Sequence, residues 1–472
     1  MSEIPWMSAL ELIAAYGKGE LSPPEVIKDL QDRIDRVNPR LNAFVTLLPE
    51  SAQEEAKKAE EAYRQGKARP LEGVPVAIKD NIHSKGVRTT YGSKLYENFV
   101  PDEDAVLLER LKEAGAVVLG KTNMPEFGVI GITENPLFGR TVNPWDTKKH
   151  CGGSSGGSAV AVAAGLCPVA MGNDAGGSIR IPAALCGTFG IKPHIGRVPW
   201  YPHLPGFDII EHEGPLTRAV ADAALILDVI AGPDRRDFSS LPAYPGKFLD
   251  DMQGDVKGLR IAYSPDLGLA AAVDHEVAAL AREAAFAFAD LGCSVEEIEA
   301  GLPATSEMDF IAMTICEMVA ANEERLDEYK AVAYPLYLPF LDLAGVFTAK
   351  DVVRIPYHRY QLWEAVRKIF ERYDLLLTPT TAAPAFDHAD IGPLGPPDVE
   401  GVEVGPAGWV PFTMPFNMTG QPAASVPCGF NSGGLPVGLQ IVGDRFQEAM
   451  VLRAAAALEK VRPWSQARPP LE

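Results

Sequence analysis

From Val74 onward the chain alternates short apolar runs with segments of helical period, and that alternation leaves few folds open. Residues 75–78 read as a strand, 105–111 as a helix stopped at Gly115, 117–119 as a strand, 159–165 as a helix and 169–171 as a strand. A looser stretch rich in Pro, Asp and Ser follows between Gly232 and Gly258 and reads as a surface crossover. Beyond it, strands at 259–263, 294–298, 375–377, 424–427 and 438–442 resume, with a helix over 276–291 and a Gly- and Pro-rich loop over 392–408. The pattern predicts a large α/β sheet, with two halves joined by the crossover.

The first 70 residues read differently. Ser22 precedes Pro23, Pro24 and Glu25, the arrangement of an N-cap with a reciprocating acid three residues on. Val26, Leu30, Ile34 and Val37 then mark one apolar face, which Asn38-Pro39 is expected to end. Ala52, Ala56, Ala59 and Tyr63 repeat that period on a charged segment. Residues 1–70 are therefore expected to form a helical arm packed on a core of residues 71–472.

Charge limits the partners. The 472 residues hold 43 Lys plus Arg against 63 Asp plus Glu, a formal charge of −20. So acidic a chain disfavours binding to nucleic acid or anionic membrane and points to small, neutral or apolar substrates. Its most apolar long stretch, 159–171, is broken by Gly165 and Pro168 and is too short to span a bilayer. The first eleven residues carry Glu3 and Glu11 and no cationic start, unlike a secretory signal. Six cysteines lie scattered, with no CxxC pair and no metal-ligand spacing, so the expected setting is a reducing cytoplasm.

Two motif strings mislead. Gly115 to Thr122 spells GxxxxGK[ST], but a helix precedes it and the intervening Ala-Val-Val-Leu is strand-like, the inverse of a phosphate-binding loop. Gly152 to Gly156 spells GxSxG without the apolar strand that a nucleophile elbow follows, and the only late histidines are His358 and His388. A Ser/His/Asp arrangement stays open there as the weaker reading.

The chemistry concentrates in two glycine–serine loops. Residues 152–157 read Gly-Gly-Ser-Ser-Gly-Gly, and 172–180 read Gly-Asn-Asp-Ala-Gly-Gly-Ser-Ile-Arg. Glycine lets backbone approach closely, but a serine hydroxyl needs a base to become a nucleophile. Lys79 closes the apolar run Val-Pro-Val-Ala-Ile, and burial would lower its pKa from about 10.4 toward that of a base.

These residues resemble the amidase signature hydrolases. The match includes GVPVAIKDNI at 73–82, GKTNMPEF at 120–127, NPWD at 143–146, the serine–glycine region at 152–198, DLLLTPT at 374–380, and the segments within 420–443. The resemblance runs over about 8–453 and implies an α/β/α sandwich with a large mixed, twisted sheet. It implies a triad of Lys79, Ser154 and Ser178, with Ser178 the nucleophile and Ser154, after a cis Gly153-Ser154 bond, relaying protons to Lys79. Backbone N–H groups of Ala175, Gly176, Gly177 and Ser178 would form the oxyanion hole. Ser155, Asp174 and Arg180 would hold the loops, and no metal or cofactor is called for. Homodimers are common in the family. Asn173 stands where a hydroxyl residue is more usual, so hydrogen bonding beside the triad is expected to differ.

The variable half, about 260–420, is expected to shape the substrate pocket, with Phe127, Ile181, Cys316 and Trp409 as candidate lining. The expected activity is hydrolysis of neutral, fairly apolar amides to a carboxylic acid and ammonia or an amine. Cyclic oligoamides and carbamates remain alternatives on the same machinery. The glutamine-hydrolysing component of the tRNA-dependent amidotransferase, its A subunit, fits less well. Members of that branch carry Gln where this chain has Ile181, and an apolar side chain suits a glutamine pocket poorly.

Overall fold

The computed structural model describes residues 3–203, 209–304, 306–390 and 395–471. Its strands in chain order are β1 (Phe44–Leu47), β2 (Pro75–Lys79), β3 (Val117–Thr122), the hairpin β4 (Glu134–Asn135) and β5 (Gly139–Arg140), β6 (Val169–Asn173), β7 (Phe189–Lys192), β8 (Glu213–Thr217), β9 (Arg260–Tyr263), β10 (Ser294–Glu297), β11 (Leu375–Pro379), the hairpin β12 (Asp398–Val399) and β13 (Val402–Glu403), β14 (Ala423–Phe430) and β15 (Pro436–Gly443). Eleven of them form one sheet in the order β1-β3-β2-β6-β8-β7-β14-β15-β11-β9-β10. The sheet is mixed. β2 runs parallel to β3 and β6, and β9 parallel to β10 and β11, while the central pairs from β6 through β15 are antiparallel.

The covering helices include α1 (Ala9–Lys18), α2 (Pro23–Leu41), α3 (Pro49–Arg64), α4 (Val106–Glu113), α5 (Gly156–Ala163), α6 (Arg180–Cys186), α7 (Val220–Ile230), α8 (Phe248–Asp251), α9 (His275–Asp290) and α10 (Ser306–Ala321), then the helices Ala349–Phe370 and Glu448–Val461. Every residue of β2, β3, β6, β7, β8, β11 and β15 is buried, as expected of strands covered on both faces. Alternation along β2 separates the two layers. Val76 and Ile78 join the cluster that holds residues of α4, α7, α9 and Glu448–Val461, whereas Ala77 joins the cluster of α2 and α5. Lys79, two residues past Ala77, is thereby delivered to the α5 side. No helix among the described residues is long and apolar enough to cross a membrane.

Two readings of the amino-terminal segment change. It is not wholly helical, because Phe44–Leu47 adds an edge strand that pairs antiparallel with β3. Helix α2 also runs past Asn38-Pro39 to Leu41 and ends on Asn42 in the left-handed region. Pro39 falls in the last turn, and the Asn38 side-chain oxygen accepts the N–H groups of Ala43 and Phe44, which fixes the exit. The loop expected over 392–408 lies partly outside the described residues, and its described part holds the β12–β13 hairpin.

Candidate active site

Lys79 ends β2 with no exposed surface. Its Nζ donates to Ser154 Oγ at 2.7 Å and, in a shorter contact, to the side-chain oxygen of Asn173. Burial brings the ammonium down to about 7, against the opposing pull of the Glu211 and Asp174 carboxylates. A lysine in this state is half free base near neutrality.

Ser154 follows a cis Gly153-Ser154 bond and stands just before α5. Helix α5 opens on Gly156 and Gly157 because it presses on neighbouring backbone: a Cβ at Gly157 would lie 2.4 Å from Asn123 N. The two serine loops are tied directly, as Ser155 N–H donates to Ser178 O at 3.0 Å and Ser155 Oγ to Asn173 O at 3.2 Å.

The 174–180 loop is organised by one carboxylate. Asp174 Oδ1 accepts from Gly177 N–H at 2.7 Å, and Oδ2 from Ile179 N–H at 3.1 Å. Arg180, fully buried, donates through Nη2 to Oδ1 at 2.8 Å and through Nε to Oδ2 at 3.0 Å. Burial alone would push the Asp174 carboxyl up, but the Arg180 guanidinium holds it well below the usual carboxylate range. The second half of the chain supplies the rest of the clamp. Arg180 Nη1 donates to Thr413 O at 2.9 Å and Gln440 Oε1 at 2.7 Å, Nη2 donates to Asn417 Oδ1 at 2.5 Å, and Thr413 Oγ1 donates to Gly176 O at 2.7 Å.

One expectation is corrected here. Gly177 N–H is engaged by Asp174, which leaves the N–H groups of Ala175, Gly176 and Ser178 without an acceptor in the chain among the described residues. Gly177 serves the loop's shape instead, at φ +128° and with Thr413 Oγ1 only 2.4 Å from where a Cβ would stand.

Two adjoining cavities meet at Ser178, and Ala175 and Gly128 also border both. The first is lined by Ser154 and Asn173 together with Tyr91, Tyr96, Phe127, Trp200 and Glu211. The second is lined by Gly176, Ile181, Phe310, Ile315, Trp409 and Met414, and its wall is mainly apolar, with the Ser178 and Thr314 hydroxyls as its polar side chains. Phe127 borders the first cavity, and Ile181 and Trp409 border the second. Cys316 does not: α10 turns residues 310, 311, 314, 315, 318 and 321 toward them, and the 3.6-residue period leaves 316 on another face. Neither His358, which pairs with Asp309, nor His388 lines either cavity, so the histidine arrangement finds no footing.

The sequence reading did not single out Glu211, Thr413, Asn417 or Gln440. Gln440 did leave a signal, as a lone amide inside the apolar strand β15. Glu211 left none, lying next to a stretch without periodicity.

A mixed α/β sandwich with a buried lysine, two serines in glycine loops and a cleft between two cavities is the architecture of an amide-bond hydrolase. The chain belongs to the Amidase family, whose model matches residues 25–452. It is 39% identical to an acylamidase from Rhodococcus erythropolis over 469 residues, 98% of this chain and 97% of that protein. It is also 39% identical to the A subunit of the glutamyl-tRNA(Gln) amidotransferase of Moorella thermoacetica, over 99% of both chains. Among solved structures, a bacterial aryl acylamidase of the amidase signature family superposes with a TM-score of 0.92 at 33% identity, covering 98% of both chains. The protein is a hydrolase of carbon–nitrogen bonds other than peptide bonds.

Proposed function

We propose that this amidase cleaves neutral amides with an apolar acyl group through a Ser178 acyl-enzyme, with Ser154 and Lys79 as the proton relay. The observation that carries the reading is the buried Lys79 Nζ hydrogen-bonded to Ser154 Oγ, in a cavity that Ser178 also lines. In its neutral form Lys79 draws a proton through Ser154 as Ser178 Oγ attacks the carbonyl carbon. The N–H groups of Ala175, Gly176 and Ser178 stabilise the oxyanion, and Ser154 then returns the proton to the leaving nitrogen. Water hydrolyses the ester and regenerates Ser178. The Ser154 and Ser178 hydroxyls share no hydrogen bond here among the described residues, and such contacts commonly tighten only in the substrate complex.

Because Ser154 delivers the proton to the leaving nitrogen, the leaving group lies in the cavity that Ser154 lines. The acyl group then fills the other, beside Gly176. That acyl cavity is apolar and includes Ile181, which supports acylamidase activity over glutamine hydrolysis, although relatives of both names match equally well in sequence. The free state of all six cysteines supports work in a reducing compartment, and the net charge supports a partner list without nucleic acid. A homodimer is the assembly we propose, on family resemblance alone. The test is a hydrolysis panel of glutamine, short aliphatic amides, anilides, cyclic amides and carbamates, paired with fluorophosphonate labelling and peptide mapping. Labelling of the Ser178 peptide and turnover of apolar acyl amides are expected. Absence of label from that peptide, or activity retained in Ser178→Ala, overturns the mechanism.

A further inference from the structure

Glu211 lines the leaving-group cavity and has no part in the relay. It is only 7% exposed, and its Oε1 has no hydrogen-bond partner among the described residues, although the Asp174 and His212 N–H groups lie near enough to draw the carboxyl down. Buried polar atoms are normally paired, so an unpaired one on a side chain that lines a cavity marks a place where a ligand atom, reached by a turn of that side chain, completes the set. Lys79 is the cation whose charge acts on the carboxyl, but its Nζ is already directed at Ser154 and Asn173. Burial, partly offset by Lys79, pushes the carboxyl up to about 8, so near neutrality it is largely protonated until a cation beside it draws it to the carboxylate form.

The wall beside Glu211 is aromatic. Tyr91 and Phe127 stack at 6.3 Å, Tyr96 meets them edge-on at 5.0 and 5.8 Å, and Trp200 borders the same space. Tyr91 and Phe127 both hold left-handed backbone, at φ 54° and 51°, a conformation that non-glycine residues adopt at a cost and that clusters at binding sites. Aromatic faces attract a cation, and a carboxylate at the rim completes a cage for an amine.

We propose that Glu211 is a specificity residue that accepts a hydrogen bond from a second, basic amino group on the leaving amine, so that, among amides with an apolar acyl group, monoamides of diamines are preferred over wholly neutral ones. This rests on the placement of the leaving group in the Ser154 cavity.

The discriminating pair is one acyl group on 4-(aminomethyl)aniline or on 4-ethylaniline, leaving groups of near-equal shape. In the wild type the aminomethyl anilide is expected to have the higher kcat/KM. In Glu211→Leu the ratio of the two is expected to fall about tenfold or more, the usual worth of a charge-assisted hydrogen bond, and Glu211→Gln should fall in between. A loss shared equally by both anilides would mean that Glu211 acts through Lys79, and it would overturn the proposal, as would an unchanged ratio. Calorimetric titration of Ser178→Ala with 4-(aminomethyl)aniline and 4-ethylaniline needs no turnover. If the wild type cleaves neither anilide but Ser178→Ala binds the diamine more tightly, and Glu211→Leu in that background abolishes the preference, the hydrolytic reading falls and the amine site stands. Without a Glu211-dependent preference in that titration, the amine site falls.

Discussion

Arg180 grips Asp174 with two parallel hydrogen bonds, Nη2 to Oδ1 at 2.8 Å and Nε to Oδ2 at 3.0 Å, and neither side chain has any exposed surface. The same Asp174 holds the backbone of Gly177 and Ile179, so the pair sets the path of the chain on either side of Ser178. The position of Ser178 is thus governed by a buried ion pair.

Removing one partner of that pair strands the other charge in the core. Asp174→Asn and Arg180→Gln are each expected to cost about 3–5 kcal/mol of stability, and Arg180→Lys to be poorly tolerated because it loses the two-pronged geometry. Urea denaturation measures the cost. A loss under 1 kcal/mol would mean that the loop does not depend on the pair.

Lys79→Met should fold, since it replaces a buried cation by an apolar chain of similar length, but lose about 10²–10⁴-fold in kcat. In the wild type, kcat/KM for a neutral amide should rise with pH through about 7, as the Lys79 ammonium loses its proton. Stability follows with a definite sign. Above about 7 folded Lys79 is neutral, while the unfolded lysine keeps its proton to about 10.4. The unfolded state therefore binds more protons across that window, and this group's contribution to stability rises with pH there. Unfolding curves for wild type and Lys79→Met at pH 7 and pH 9 should differ by that increment.

Asn173 offers Lys79 an acceptor, and a neutral amine that donates there keeps its lone pair for the Ser154 hydroxyl. Asn173→Ala should lower kcat with little change in KM, whereas Asn173→Thr, which restores an oxygen, should recover part of it. A change in KM alone would reassign Asn173 to substrate binding.

Gly177→Ala should destabilise by more than about 1 kcal/mol, from a backbone at φ +128° and a Cβ forced against Thr413 Oγ1. Thermal unfolding and fluorophosphonate labelling of the same samples would read the damage to fold and to Ser178 separately.

Ile181→Gln places an amide in the mainly apolar cavity proposed for the acyl group. Anilides of long-chain fatty acids should lose about tenfold or more in kcat/KM, with acetanilide less affected, because the amide finds no partner there once the acyl chain displaces water. Equal effects on both anilides would place the acyl group elsewhere.

Much of the fold was legible because strands buried on both faces are continuous apolar runs, as in 75–78, 117–119 and 438–442. The edge strand Phe44–Leu47 was not, since four residues between two helices carry too little pattern. Phe127, Ile181 and Trp409 line the two cavities and Cys316 does not, because which face of α10 turns inward depends on what the helix packs against, which the sequence leaves open.

The amino-acid order by itself determined which segments become strands and helices, and it set Lys79 at the end of a strand and both serines among glycines. Those are local matters of period, turn chemistry and steric freedom. Only the tertiary structure decided what those residues meet. It brought Asn173 to the lysine, committed the Gly177 N–H to Asp174, and joined Arg180 to Thr413, Asn417 and Gln440 from more than 230 positions away. It also set Glu211 against the cavity that Ser154 and Asn173 line. Hydrogen bonds and burial act through space, and contacts of that range leave no periodic trace along the chain.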